Sequence, residues 1–302
     1  MSGLDGDLAD YLALRRGLGY KLARPEKLLV QFLAHLDAAG VDVITVDAAV
    51  GWARRAEGTP NWWAYRLSCV RGFAVYLHAF DARHEVPPSD LLPTRPQRAV
   101  PYLYSDDEIA SLIESAAGLK GGFRVATYQT LIGLLAVTGM RVGEAIRLDT
   151  TDFDPTGGVL TVRWTKFDKT RLLPLHPSTV TALDDYLARR DRPPSPALLC
   201  SPGGSRLLYC NVHSTFRTVR TAAGLPAGTK TCRPRIHDLR HRFAVQSLLD
   251  AYRDDASIGH RLALLSTYMG HVNPAGTYWY LSAAPELLAL AADRLDQQAV
   301  RS

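Results

Sequence analysis

Five prolines within sixteen positions, Pro87, Pro88, Pro93, Pro96 and Pro101, limit what this chain can become. Proline lacks the N–H that a helix or a sheet ladder needs, and it biases the residue before it toward extended backbone. The stretch over residues 86–101 is therefore predicted to run extended, as a linker with a folded unit on either side. The length of 302 residues agrees, because single hydrophobic cores stop growing at roughly 250–300 residues.

Before the linker, over residues 1–85, apolar side chains recur at helical spacing. Leu8, Tyr11 and Leu12 form one set, Leu28, Leu29, Phe32, Leu33 and Leu36 a second, and Trp62 to Leu77 a third. Gly40 ends the second and Pro60 stands near the start of the last, so a four-helix unit is predicted. After the linker, over residues 102–302, Ser105 and Glu108 have the spacing of a capping box and open a helix to about Ala117. An apolar helix from Arg124 to Val137 is stopped by Thr138 and Gly139. Two β-rich runs, Val159 to Trp164 and Arg171 to Leu175, flank the polar segment Lys166 to Thr170 and read as a hairpin. The remainder reads as helices broken by Pro/Gly loops. The predicted class is mainly α with a small antiparallel β-sheet (α+β) in the second unit.

Charge separates the two halves. Residues 1–95 carry 11 Lys and Arg against 11 Asp and Glu, so the excess of 24 over 19 lies beyond residue 95. From Arg206 to Arg242 eight basic residues (Arg206, Arg217, Arg220, Lys230, Arg233, Arg235, Arg240 and Arg242) face one acid, Asp238. Such a run fits a nucleic-acid partner and also fits a solvated basic face. Cys69, Cys200, Cys210 and Cys232 are scattered without a C-x-x-C pair, which predicts neither a zinc site nor redox chemistry. No apolar run approaches the roughly 20 residues of a membrane span, and the N-terminus has no signal-peptide core. A cytoplasmic protein is expected, associated with the nucleoid when it is bound there.

Four short segments carry candidate chemistry. In T-G-M-R-V-G-E, Thr138 to Glu144, a glycine turn delivers Arg141 to a helix start three residues before Glu144. A guanidinium grips two phosphate oxygens in a fixed fork, although by itself the segment reads more readily as an ordinary helical ion pair. The hairpin tip holds Lys166, Lys169 and Arg171, residues also common in turns for solubility alone. In H-D-L-R-H, His237 and Arg240 are three apart and so neighbours on one helix face, which sets a proton-transfer group beside a second fork. In Y-M-G-H and the run after it, His271 precedes Tyr280 by nine residues; the aromatic run Tyr278 to Tyr280 would also suit a core.

Together these groups, in the order R, K, H-x-x-R, H, Y, resemble the active-site pattern of the tyrosine recombinases, the family of phage integrases and bacterial chromosome-dimer resolvases. The likeness covers about residues 102–285. It implies a catalytic domain over 102–302, a helical core-binding (SAM-like) domain over 1–85 that closes with it round a duplex, and an interaction helix over 285–300. It implies that Arg141 and Arg240 hold the scissile phosphate, that His271 adds a hydrogen bond there, and that His237 takes the proton of the nucleophile Tyr280, with Tyr278 the competitor. Lys166 aligns with the family's general acid and Lys169 is the alternative. Glu144 would orient neighbouring cations. DNA contacts are expected from Lys169, Arg171, Arg217, Arg220, Arg233, Arg235 and Arg242. The implied partners are double-stranded recombination sites, further copies of the chain in a synaptic tetramer, and accessory DNA-bending or partner recombinase proteins. No metal or cofactor is implied. Integration or excision of a mobile element is the expected role. A type IB-like topoisomerase and an accessory protein without its own strand cleavage are the alternatives. One departure is that His271 stands where some relatives have tryptophan.

Overall fold

A computed structural model describes residues 4–93, 100–163, 170–190, 195–226, 228, 232–253 and 258–270. The chain divides into two compact units, Met1–Arg98 and Ala99–Ser302. No helix among the described residues is long and apolar enough to cross a membrane.

The described part of the first unit holds α1 (Leu4–Gly17), α2 (Ala23–Ala38), α3 (Val46–Arg54) and α4 (Pro60–His78). Pro60 occupies the first turn of α4, where its missing N–H costs nothing because that donor would have no intrahelical partner. The apolar stripes of α2 and α4 meet at Leu29, Phe32, Val70 and Phe73, all fully buried. The short helix α3 is opened by Thr45, whose Oγ1 accepts from the Ala48 N–H at 3.2 Å. Arg71 of α4 donates to the carbonyls of Pro87 and Pro88, both at 2.6 Å, and Leu92 is buried in the same core. The start of the proline-rich stretch thus lies against the first unit, without helix or strand in its described residues.

In the second unit follow α5 (Asp106–Ser115), α6 (Gly122–Thr138), α7 (Val142–Arg147), β1 (Phe153–Asp154), β2 (Val159–Val162), β3 (Arg171–Pro174), α8 (Pro177–Ala188), α9 (Tyr209–Ala222), α10 (Asp238–Arg253) and α11 (Ile258–Met269). The capping box at the head of α5 is formed: Ser105 Oγ accepts from Glu108 N at 3.1 Å, and Glu108 Oε2 accepts from Ser105 N at 2.8 Å. Replacing Ser105 with alanine is expected to lower stability by about 1 kcal/mol, read as a lower urea midpoint at unchanged slope.

The apolar helix α6 lies central, with Leu131, Ile132 and Leu135 buried and α5, α8 and α10 packed around it. The strands are antiparallel in the order β1-β2-β3, with Leu160 opposite Leu173 and Val162 opposite Arg171. The short pairing strand β1 has no counterpart in the sequence reading, since two residues carry no periodicity. Side chains of a strand alternate between faces, so Leu160, Val162 and Leu173 all turn into the core. Arg171, two residues before Leu173, is carried to that same inward face.

Candidate active site

The site is assembled where α6, α10 and α11 end or begin. Gly139 closes α6 in the left-handed conformation (φ 59°), its N–H donating to Leu135 O at 3.0 Å. A side chain there would be strained by that φ, and its Cβ would lie 2.4 Å from Cδ1 of Phe243. The turn leaves Arg141 extended at the N-cap of α7. Glu144, in the first turn, reaches back: Oε2 accepts from Arg141 N at 2.9 Å and Oε1 from Arg141 Nη1 at 2.8 Å.

At the head of α10 the fully buried carboxylate of Asp238 accepts from Arg235 N, Nε and Nη2 at 2.9, 3.1 and 2.7 Å. This fixes the turn from which the helix starts. His237 precedes the helix by one residue and is not on its body as the sequence spacing suggested, since Asp238 caps the helix back onto Arg235. Its ring meets that of His241 edge-on, with centroids 5.2 Å apart. Arg240, 2% exposed, donates from Nη1 to Gly139 O and from Nη2 to Met269 O, each at 2.7 Å. One buried guanidinium therefore joins the end of α6, the start of α10 and the end of α11.

Arg171 completes the cluster. Its Nη2 donates to Glu144 Oε2 at 2.7 Å and its Nη1 to Oε1 at 3.3 Å, and its side chain is 12% exposed. Gly270, which follows α11 with φ 65°, lies over this group; a Cβ there would stand 3.0 Å from Arg171 Nη1. The sequence reading counted Arg171 among DNA-contacting cations, but the strand register turns it inward onto Glu144.

The charges act on their neighbours. Burial alone would raise the carboxyl of Glu144, yet hydrogen bonds and charge from Arg171 and Arg141 outweigh it and hold the group at about 2. His237 is accessible to solvent, but the protein packed round the ring desolvates its cation; together with the charge of Arg240, and less that of Arg235 and Arg141, this pushes its pKa below the ordinary 6.5 against a smaller pull from Asp238. Burial raises the Tyr268 hydroxyl, opposed by Arg171 and Arg240. The ring of Tyr268 stacks on Phe243, with centroids 5.5 Å apart. The arrangement sets the partly exposed guanidinium of Arg141 and the buried one of Arg240 within electrostatic reach of the His237 imidazole, a combination suited to an anion and a proton transfer.

Glu144 ionises more readily in the folded chain than at its ordinary 4.5. Its stabilisation, about 3 kcal/mol from that difference, is complete above pH 4.5 and is lost as the pH falls toward 2. Urea unfolding followed between about pH 5 and 3 is expected to fall more steeply for the wild type than for Glu144→Gln, which has no proton to take up.

Among the remaining predicted cations, Arg217 and Arg233 are exposed. Arg220 donates to Pro234 O at 2.9 Å, Arg235 is paired with Asp238, and Arg242 pairs with Asp106. Lys166, Lys169, His271 and Tyr280, and the 285–300 helix, lie outside the described residues. The carbonyls of Gly139 and Met269 were missed by sequence reasoning, and a backbone acceptor leaves no mark in a sequence.

Residues 104–286 match the model of the phage integrase family. A protein of Sinorhizobium fredii provisionally named integrase/recombinase y4rB is 42% identical over 99% of this chain and 98% of its own length. The tyrosine recombinase XerD of Mycobacterium tuberculosis is 29% identical over 90% of each chain. Among solved structures, XerH site-specific recombinase in a post-cleavage complex with palindromic difH substrate has a TM-score of 0.65 at 20% identity, over 91% of this chain and 78% of that one. A lambda integrase dimer bound to a COC′ core site has a TM-score of 0.59 at 18% identity, over 92% and 76%. These two structures share the fold.

Proposed function

The chain belongs to the phage integrase family and is a site-specific recombinase of the tyrosine type, and on that premise we propose that it cuts and rejoins DNA through a 3′-phosphotyrosyl link to Tyr280. The observation that carries this reading is the position of Arg240, whose clamp on Gly139 and Met269 gathers the motifs around Arg141, His237 and residue 270 into one place.

In this mechanism Arg141 and Arg240 hold the non-bridging oxygens of the scissile phosphate and stabilise the charge of its five-coordinate transition state. His237, kept as free base at neutral pH by its lowered pKa, accepts the proton of the Tyr280 hydroxyl. The tyrosine oxygen forms a bond to phosphorus and the bond to the 5′ oxygen breaks. Lys166 protonates the leaving oxygen, and His271 donates a further hydrogen bond to the phosphate. One phosphoester is exchanged for another, so a 5′ hydroxyl from a partner strand reverses the step without an external energy source. Four copies on two duplexes would complete an exchange. The role is integration or excision of a mobile element, a reading supported by the integrase/recombinase name of the relative at 42% identity.

Covalent trapping tests this. The protein is incubated with labelled, nicked duplexes drawn from the DNA flanking its gene, denatured in detergent and digested, and the DNA-linked peptide is sequenced by mass spectrometry. A nucleotide on Tyr280 is the expected result. A nucleotide on Tyr278, or specific binding with no adduct at any nick position, would sink the proposed nucleophile or the cleavage itself.

A further inference from the structure

A charged side chain that a strand register turns inward needs an explanation, because burying an uncompensated cation is among the costliest arrangements in a protein. Arg171 shares a face of β3 with the fully buried Leu173 and stands opposite the buried Val162. Glu144 meets it. Each oxygen of that carboxylate accepts twice: Oε1 from Arg141 Nη1 at 2.8 Å and Arg171 Nη1 at 3.3 Å, Oε2 from Arg141 N at 2.9 Å and Arg171 Nη2 at 2.7 Å. Two guanidinium groups share one anion, so the trio carries two positive charges less one negative, a net +1. Side-chain exposure gives the direction in which that charge is presented: 12% for Arg171 and 3% for Glu144, against 36% for Arg141.

We infer that Arg171 is a positioning residue for the recombination reaction: it compensates Glu144 from the protein side and so leaves the charge of Arg141 directed at the scissile phosphate. This rests on the phosphate-binding role proposed for Arg141. Without Arg171, the carboxylate faces Arg141 alone, and an arginine and a carboxylate left to each other pair through both oxygens. The pair is then neutral, and a phosphate approaching it competes with an anion already in place. With Arg171 present, Glu144 still fixes the backbone and one nitrogen of Arg141, but it no longer cancels its charge. Gly270 leaves room for this guanidinium, since a Cβ there would stand 3.0 Å from Arg171 Nη1.

Single-turnover cleavage of a nicked duplex by the full chain separates this from a merely structural ion pair. Arg171→Ala is expected to slow adduct formation by about 100-fold, the lower end of what losing one preorganised electrostatic contact in a transition state costs. Adding Glu144→Gln to that variant is expected to restore the rate to that of Glu144→Gln alone, because the competing anion is gone. A structural pair gives the opposite order, with the double variant at least as slow as Arg171→Ala. Arg171→Lys, which keeps the charge without the fork, should fall between wild type and Arg171→Ala. If Arg171→Ala does not fold, Arg171→Lys with and without Glu144→Gln makes the same comparison. Cleavage at the wild-type rate by Arg171→Ala, or no recovery in the double variant, overturns the inference; if Arg141→Ala still abolishes cleavage, the role of Arg141 stands without it. Wild-type cleavage by Arg141→Ala would instead remove the phosphate-binding reading and the inference with it.

Discussion

Replacing Arg240 with alanine is expected to slow strand cleavage by about 1,000-fold or more and to destabilise the second unit by about 2–4 kcal/mol. The two losses have separate origins. The kinetic one follows from removing a guanidinium proposed to sit on the transition-state charge. The thermodynamic one follows from the native contacts alone, since the carbonyls of Gly139 and Met269 lose their donor in a buried setting. An unsatisfied buried polar group costs about 1–3 kcal/mol. Arg240→Lys keeps the charge, but a single ammonium lacks the planar fork that spans both carbonyls, so it should recover little of either loss. Single-turnover cleavage paired with urea unfolding reads both effects. An Arg240→Ala protein that unfolds at the wild-type midpoint would mean that the clamp does not hold the three segments together.

The second large effect is expected at Gly139, where alanine should cost about 3 kcal/mol or more. The φ of 59° already disfavours a side chain, and the added Cβ would press on Phe243 at Cδ1, Cγ and Cβ, at 2.4, 2.8 and 3.2 Å. Phe243 cannot turn away cheaply because its ring is stacked on Tyr268. The carbonyl of the same glycine orients Arg240, and Arg141 lies two residues on, so cleavage should fall by about 100-fold even in the molecules that remain folded. Exchanging Phe243 for alanine removes the Cγ and Cδ1 that collide, so the Gly139→Ala/Phe243→Ala chain should lose less stability than the two single variants lose in sum. If the two losses simply add, backbone strain and not the collision with Phe243 is the cause.

How much of this was legible in the sequence depends on how far apart the cooperating residues lie. The capping box of Ser105 and Glu108, the glycine stop at Gly139 and the antiparallel pair β2 and β3 are local, and each leaves its signature within a few positions. Of the four helices predicted in the first unit, α3 was given no residues because nine residues repeat an apolar spacing too few times, even though Thr45 caps it. Arg171 reads as one more cation at a hairpin because its partner is Glu144, twenty-seven positions earlier. Only the register of β2 against β3, set by burial of Leu160, Val162 and Leu173, turns it inward. Arg240 reads as a phosphate fork, but its acceptors are backbone carbonyls 101 and 29 positions away. No residue type encodes those. Lys166, His271 and Tyr280 enter through resemblance, since neither spacing nor composition alone separates Lys166 from Lys169 or Tyr280 from Tyr278.

Carboxylates compensate many of the basic side chains that make the second unit cationic, and this bears on how binding responds to ionic strength. Glu144, Asp149, Asp238 and Asp106 are paired with Arg171, Arg206, Arg235 and Arg242. A cation that already has an anion beside it adds little when a phosphate arrives, because few condensed ions are displaced on its account. The slope of log affinity against log salt counts only phosphates neutralised afresh, at about 0.9 per contact on duplex DNA. That slope should therefore be shallower than the number of arginines in the basic stretch suggests. Non-specific DNA would hold this protein more loosely than its count of arginines implies, leaving it freer to exchange between sites in search of its own.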